Sequence, residues 1–342
     1  MSGFRLLGDL GATNVRFALL APDGSVNRFE NFRNLDYENV VEAIDAYLAL
    51  VPKEEHPTEA AFAVAAPVIG DKITMLNSPW TFSMEAVQQH YGWSKLHLVN
   101  DFVANALAVP ELREDDIVQI GEGKAVDGEA IAVLGPGTGL GVAGLMRCGG
   151  AWTPIAGEGG HATLAPMDSR EAAIIDILRR QYAHVSAERV LSGPGLANLY
   201  DALCELAGKP AAPLTPERIT DLYPGCDPQA RETVMMFCGM LGTFAGSVAL
   251  TFGARGGVYI MGGIVPKILG TFTQSSFRER FEFRGRYRAY LSEIPTFVVT
   301  RPNPALNEVL VFSPYLIHGG AFNQQADRTR VSLEMRFWRV RA

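Results

Sequence analysis

The chain states one pattern twice, and that repetition limits its folds more than anything else in it. Leu7-Gly8-Asp9-Leu10-Gly11-Ala12-Thr13-Asn14-Val15-Arg16-Phe17-Ala18-Leu19 reads as strand, glycine-rich turn, strand. Ile131-Ala132-Val133-Leu134-Gly135-Pro136-Gly137-Thr138-Gly139-Leu140-Gly141-Val142-Ala143-Gly144-Leu145 has the same form. Each copy opens a run of three strands. In the first, Pro22-Asp23-Gly24 turns the chain into a third strand near 26–32; in the second, the third strand falls near 152–155. With 342 residues the chain is too long for one small core, so two domains are expected. The spacing predicts an α/β protein whose two related lobes face each other across a cleft.

Between the copies, apolar residues at helical spacing predict a helix over 37–51, then a small-residue strand over 58–66, a turn at Ile69-Gly70-Asp71-Lys72 and a helix near 84–90. The next stretch, Leu96-His97-Leu98-Val99-Asn100-Asp101-Phe102, runs from a buried-type strand into a helix with Phe102, Ala106 and Val109 on one face. An Asp at such a joint is commonly a helix cap. Asn100 and Asp101 also stand where α/β proteins place their chemistry, at the carboxyl end of a strand. After the second copy come helices over 170–181, 195–206 and 232–252, a strand over 258–261, Gly262-Gly263, and a helix from Pro266.

A tight turn that exposes several backbone amides is an anion-binding concavity, and glycine lets a phosphate approach that backbone closely. Singly, each turn is an ordinary hairpin signal; as a matched pair they suit a nucleotide's polyphosphate. Thr13 and Thr138 add hydroxyl donors, and Asp9 is placed to hold Mg²⁺ through water, since that ion keeps much of its hydration shell. Gly139-x-Gly141-x-x-Gly144 fits the dinucleotide-binding pattern literally, but that pattern needs a following helix, and 142–146 reads as a strand. The P-loop, HExxH and GxSxG patterns are absent.

Asn100, Asp101, Glu158 and His161 (in Gly157-Glu158-Gly159-Gly160-His161), and Glu188 supply the mixed donors and acceptors that a polyol's hydroxyls require. His161 could instead satisfy a loop carbonyl, and Glu188 could pair with Arg189. A net charge of -7 argues against nucleic acid or an anionic membrane as the main partner. Four cysteines without CxxC spacing suit a reducing cytosol. No secretory signal is visible, and the uncharged stretch 233–254, long enough to cross a bilayer, reads as a buried core helix whose small residues permit close packing.

These residues resemble the bacterial glucokinase family, ATP:glucose 6-phosphotransferases of the hexokinase, Hsp70 and actin-like ATPase superfamily. The likeness runs from about Phe4 to Leu306. It passes through Gly8–Asn14, Leu76-Asn77-Ser78-Pro79-Trp80, Asn100-Asp101, Gly135–Gly141, Gly157–His161, Ser186–Gly195 and Gly256–Ile264. The resemblance implies a two-lobed, ribonuclease H-like α/β fold with an interlobe cleft. A small domain would span 1–110, completed by about 301–320, and a large one 111–300. It implies sugar contacts at Asn100, Asp101, Glu158, His161 and Glu188, with Asp101 as general base, and an ATP site on Gly8, Asp9, Leu10, Gly11, Ala12, Thr13, Gly137, Thr138, Gly139, Gly262 and Gly263. A cytoplasmic homodimer acting at the entry to glycolysis is implied as well.

Two departures stand out. The family usually has Gly where Ala12 stands, and residues 307–342 read as an atypical, arginine-bearing terminus in place of the family's small-residue helix. The expected activity is phosphoryl transfer from Mg-ATP to the 6-hydroxyl of glucose. Two readings of other classes compete. A sugar-responsive regulator on the same fold would need a DNA-reading appendage, and the first strand begins within a few residues of Met1. A nucleotide-switching scaffold would turn over ATP indifferently to sugar.

Overall fold

The computed structural model describes residues 3–11, 13–75, 78–223, 225 and 227–301. Ala12, the Leu76-Asn77 pair, the expected completion of the small domain at 301–320 beyond Arg301, and the terminus 307–342 therefore lie outside the described residues. The chain divides into two compact units between Asp101 and Phe102, where the sequence reading set the boundary near 110. Phe102 and Ala106, with Val109 just after their helix, pack with Ile131, Val133 and Ala143, which places that helix in the second unit.

In the first unit, β1 (Arg5–Leu10), β2 (Asn14–Leu20) and β3 (Val26–Arg33) form an antiparallel meander. α1 (Val40–Leu48) follows, capped by Asn39, whose side chain accepts from the Glu42 amide; Val40, Ala43, Ile44 and Tyr47 form its buried face. β4 (Glu59–Val64) joins β1 in parallel. A short ribbon, β5 (Lys72–Thr74) and β6 (Thr81–Ser83), leads into α2 (Met84–Tyr91). The left-handed Gly92 (φ 64°) ends α2, and β7 (Lys95–Asn100) pairs parallel to β4. The sheet order is β3-β2-β1-β4-β7. Its core is aromatic, with Phe17, Tyr47, Phe62 and Trp80 all buried.

α3 (Asp101–Ala108) starts directly after β7. In the second unit β8 (Ile117–Ile120) precedes the second meander, β9 (Ile131–Pro136), β10 (Leu140–Cys148) and β11 (Ala151–Gly157). A helical layer follows: α4 (Ser169–Leu178), α5 (Gly193–Leu206), α6 (Pro216–Leu222) and α7 (Pro228–Phe252). Then come β12 (Val258–Ile260), the short helices α8 (Ile264–Lys267), α9 (Leu269–Phe272), α10 (Phe277–Glu282) and α11 (Arg288–Ser292), and β13 (Thr296–Val299). The order β11-β10-β9-β12-β13 reproduces that of the first sheet, meander first and two parallel strands after, with β8 added antiparallel on the edge. The repeat in the sequence is thus a repeat of topology.

The uncharged stretch is the core helix expected of it. Within α7 the 18-residue window of highest hydropathy is 72% buried. Its glycines let α10 lie close: a Cβ on Gly242 would come within 2.1 Å of the Phe277 carbonyl oxygen, and one on Gly246 within 2.5 Å of that of Phe281. An ion pair is enclosed beside them. Glu171, only 1% exposed, meets Arg280 of α10 at 2.5 Å, and Arg280 also donates to Thr243 of α7.

Candidate active site

In the first unit the proposed residues gather along one edge of the sheet. Leu10, Val64 and Asn100 are in register at the carboxyl ends of the parallel strands β1, β4 and β7. Strands lie about 4.8 Å apart, so the first glycine-rich turn and the Asn100-Asp101 joint are separated by about 10 Å along that edge. The Asn100 amide donates to the Ala66 carbonyl at 3.3 Å, which ties the strand end to the loop leaving β4. Asp101 is the first residue of α3 and is partly exposed.

The first turn is short. Gly8, Asp9 and Leu10 belong to β1, and β2 starts at Asn14, leaving only the residues between Leu10 and Asn14 to reverse the chain. Gly8 answers to packing: a Cβ there would lie 2.5 Å from the buried Phe62 ring. Asp9 stands directly across from Arg16, with the guanidinium 2.8 Å from its carboxylate. Burial pushes the Asp9 carboxyl above its ordinary range even with that cation beside it. Asn34, absent from the sequence reading, holds the turn from the side. Its amide nitrogen donates to the Gly11 carbonyl at 2.8 Å and its backbone N–H to the Thr13 carbonyl at 3.0 Å.

The second unit assembles its residues around the turn Gly137-Thr138-Gly139, which joins β9 to β10. Thr138 is exposed at the tip. The Gly137 N–H donates to the Gly139 carbonyl, and the Gly137 carbonyl accepts from the Gly193 N–H that opens α5, both at 2.8 Å. Gly262 (φ 89°) and Gly263 follow β12, the parallel neighbour of β9; a Cβ on Gly262 would meet the Pro136 carbonyl oxygen at 2.4 Å. This second loop therefore lies against the end of β9. Because β10 continues as a strand to Cys148, the rejection of the dinucleotide-binding reading holds.

Glu188 reaches the same turn, not Arg189. Its carboxylate accepts from the Leu140 N–H at 2.9 Å, and its other oxygen lies 3.9 Å from Nδ1 of His161. Arg189 points elsewhere, its guanidinium 4.2 Å over the Tyr182 ring. His161 closes a single helical turn in which its N–H donates to the Glu158 carbonyl. The Glu158 and His161 side chains are both exposed. Gly160 of this turn has no room for a side chain, since a Cβ would overlap the Leu140 carbonyl oxygen at 1.8 Å. From the opposite side the Phe102 ring covers Gly141, where a Cβ would fall 1.8 Å from it. In each unit, then, a glycine-rich hairpin turn lies at the carboxyl edge of parallel strands beside groups able to bind hydroxyls or phosphates.

Comparison with known proteins places this architecture. A glucokinase from an Antarctic psychrotroph superposes with a TM-score of 0.77 at 34% identity, over 91% of this chain and 98% of that one. A ROK family glucokinase from Streptomyces griseus, solved in complex with glucose and AMPPNP, superposes with a TM-score of 0.60 at 17% identity, covering 89% and 97%. The fold class is that of the actin-like ATPase sugar kinases. The glucokinase family model matches residues 6–312. A glucokinase of Paramagnetospirillum magneticum is 48% identical over 307 residues, 89% of this chain and 96% of the relative. The chain belongs to the glucokinase family.

Proposed function

We propose that the chain transfers the γ-phosphoryl group of ATP to the 6-hydroxyl of glucose. The observation that carries this reading is the first sheet's edge, where the carboxylate at the head of α3 directly follows Asn100, itself in register with the strand end that leads into a glycine-rich hairpin turn, in a chain 48% identical to a glucokinase. Asp101 takes the proton of the attacking hydroxyl. Asn100, Glu158, His161 and Glu188 orient the sugar with it. The exposed backbone around Gly11 and Thr13, the turn Gly137-Thr138-Gly139, and Gly262-Gly263 receive the nucleotide. Phosphoryl transfer asks for positioning and charge stabilisation more than for covalent chemistry, and amide-lined turns supply both.

Among the described residues no group of three or more acidic, His or Cys side chains is set to hold a metal. A lone carboxylate such as Asp9, held against Arg16, suits contact through water with a hydrated Mg²⁺ carried mainly by the polyphosphate. Asp9 would hold it through water, and when bound the ion would neutralise charge on the transferring group. A homodimer in the cytosol, feeding glycolysis, completes the proposal; the free thiols Cys148, Cys204 and Cys238 suit a reducing compartment. The test is a coupled assay over a panel of hexoses, with ATP and with polyphosphate as donors. Glucose with ATP should give the highest kcat/KM. ATP turnover indifferent to sugar, or none with any hexose, would overturn the assignment.

A further inference from the structure

Glu188 has so far been a sugar contact, but its best-defined bond goes elsewhere. One carboxylate oxygen accepts the Leu140 N–H at 2.9 Å, immediately after the turn Gly137-Thr138-Gly139. The same oxygen lies 2.5 Å from where a Cβ on Gly139 would stand, so a side chain at 139 would displace the carboxylate from its place against the turn. The residue's own backbone is fixed, because the Ser192 hydroxyl donates to the Glu188 carbonyl at 2.7 Å and caps α5 through the Gly195 N–H. The start of α5 in turn donates to the Gly137 carbonyl. Turn, capped helix and carboxylate form one closed set of bonds. The second carboxylate oxygen, facing His161 at 3.9 Å, is on the side assigned to the sugar.

We infer that Glu188 is a positioning residue for the phosphate-binding turn as well as a sugar ligand, so that one carboxylate couples sugar affinity to nucleotide affinity. This rests on the reading of 137–139 as part of the nucleotide site. A hydrogen bond to a charged acceptor is stronger than a neutral one, and Leu140 N–H is held by such a bond. Sugar hydroxyls that engage one oxygen alter the charge left on the other, and the resulting coupling must act equally in both directions.

The test measures equilibrium binding of AMPPNP with Mg²⁺ in the absence of sugar, a quantity that a residue serving only the sugar would not move. Glu188→Ala should weaken that binding about tenfold. Glu188→Gln keeps an oxygen for Leu140 N–H, so it should bind AMPPNP within about twofold of the parent while its KM for glucose rises. Gly139→Ala, which pushes the carboxylate away without deleting it, should reproduce the loss, and adding Glu188→Ala to it should weaken binding no further. If Glu188→Ala does not fold, Glu188→Asp decides, since it draws the carboxylate back from the Leu140 N–H and leaves residues 137–139 unaltered. A Thr138→Glu variant separates the two claims, because a negative charge at the tip should abolish AMPPNP binding. Unchanged binding in Thr138→Glu removes the turn from the nucleotide site, and the coupling with it. Loss there, with unchanged binding in Glu188→Ala, overturns the coupling alone.

Discussion

In the first hairpin the strands that flank the turn are spanned by charge, with Asp9 against Arg16 and Asn34 reaching over to Gly11 and Thr13. In the second, no such charged pair joins the strands. Its shape comes from neighbours pressed onto glycine: Phe102 on Gly141, the Glu188 carboxylate on Gly139, and the Leu140 carbonyl against Gly160. The surroundings differ in the same sense. β3, the outer strand of the first meander, is mostly exposed where its counterpart β11 is mostly half-buried, and β9 is buried throughout where its counterpart β1 leaves Arg5 and Asp9 partly exposed. One topology thus supports two ways of fixing a turn, one by a local polar frame and the other by steric enclosure. The first keeps its carboxylate paired with Arg16 just ahead of the turn; the second presents glycine backbone with Thr138 exposed at its tip.

That contrast can be broken by mutation. The largest effect is expected at the head of α3: Asp101→Ala should lower kcat by about 10²–10⁴ while glucose still binds, measured by steady-state kinetics and direct titration. Near-parental turnover would take the base away from the first unit. Next comes the enclosure itself. Gly160→Ala drives a methyl into backbone at 1.8 Å and should cost about 3 kcal/mol or more in urea unfolding. The matching Gly11→Ala meets backbone at only 2.9 Å and should cost about 1 kcal/mol. Equal losses would mean that both turns are held alike.

The smallest effect is expected from Asp9→Asn, and it depends on pH. Burial raises the Asp9 carboxyl in the folded state, so the folded protein holds that proton more tightly than the unfolded chain does. Stability should therefore decline as pH rises from the ordinary aspartate value through the raised one. Asp9→Asn should flatten that decline, as read from urea midpoints across the acidic range. The same substitution should raise KM for Mg-ATP. A parallel pH dependence in parent and variant would remove Asp9 as its source.

Much of this was legible in the chain. The paired glycine turns, the helices at 170–181, 195–206 and 232–252, and the family all followed from pattern and motif, because each is written locally. The missing pieces were those that only distant neighbours define. β8 and β13 are four-residue strands whose pairing, Thr296 to Ile120, joins segments far apart in sequence. The β5–β6 ribbon is shorter still. Gly8 and Gly141 look like flexible turn residues, yet they sit inside strands and make way for the Phe62 and Phe102 rings. Glu188 offered Arg189 as an obvious partner, and nothing nearby in the sequence announces Leu140.

One helix sets a condition on how the molecule is made. α7 emerges from synthesis with an 18-residue window of bilayer-grade hydropathy, and the α10 backbone that covers its glycine ridge is encoded about thirty-five residues downstream of that ridge. Until that lid arrives, the nascent chain carries its stickiest surface uncovered. Substitutions that loosen α10 will therefore be felt first as chaperone dependence and poor yield, well before they are felt as slow catalysis.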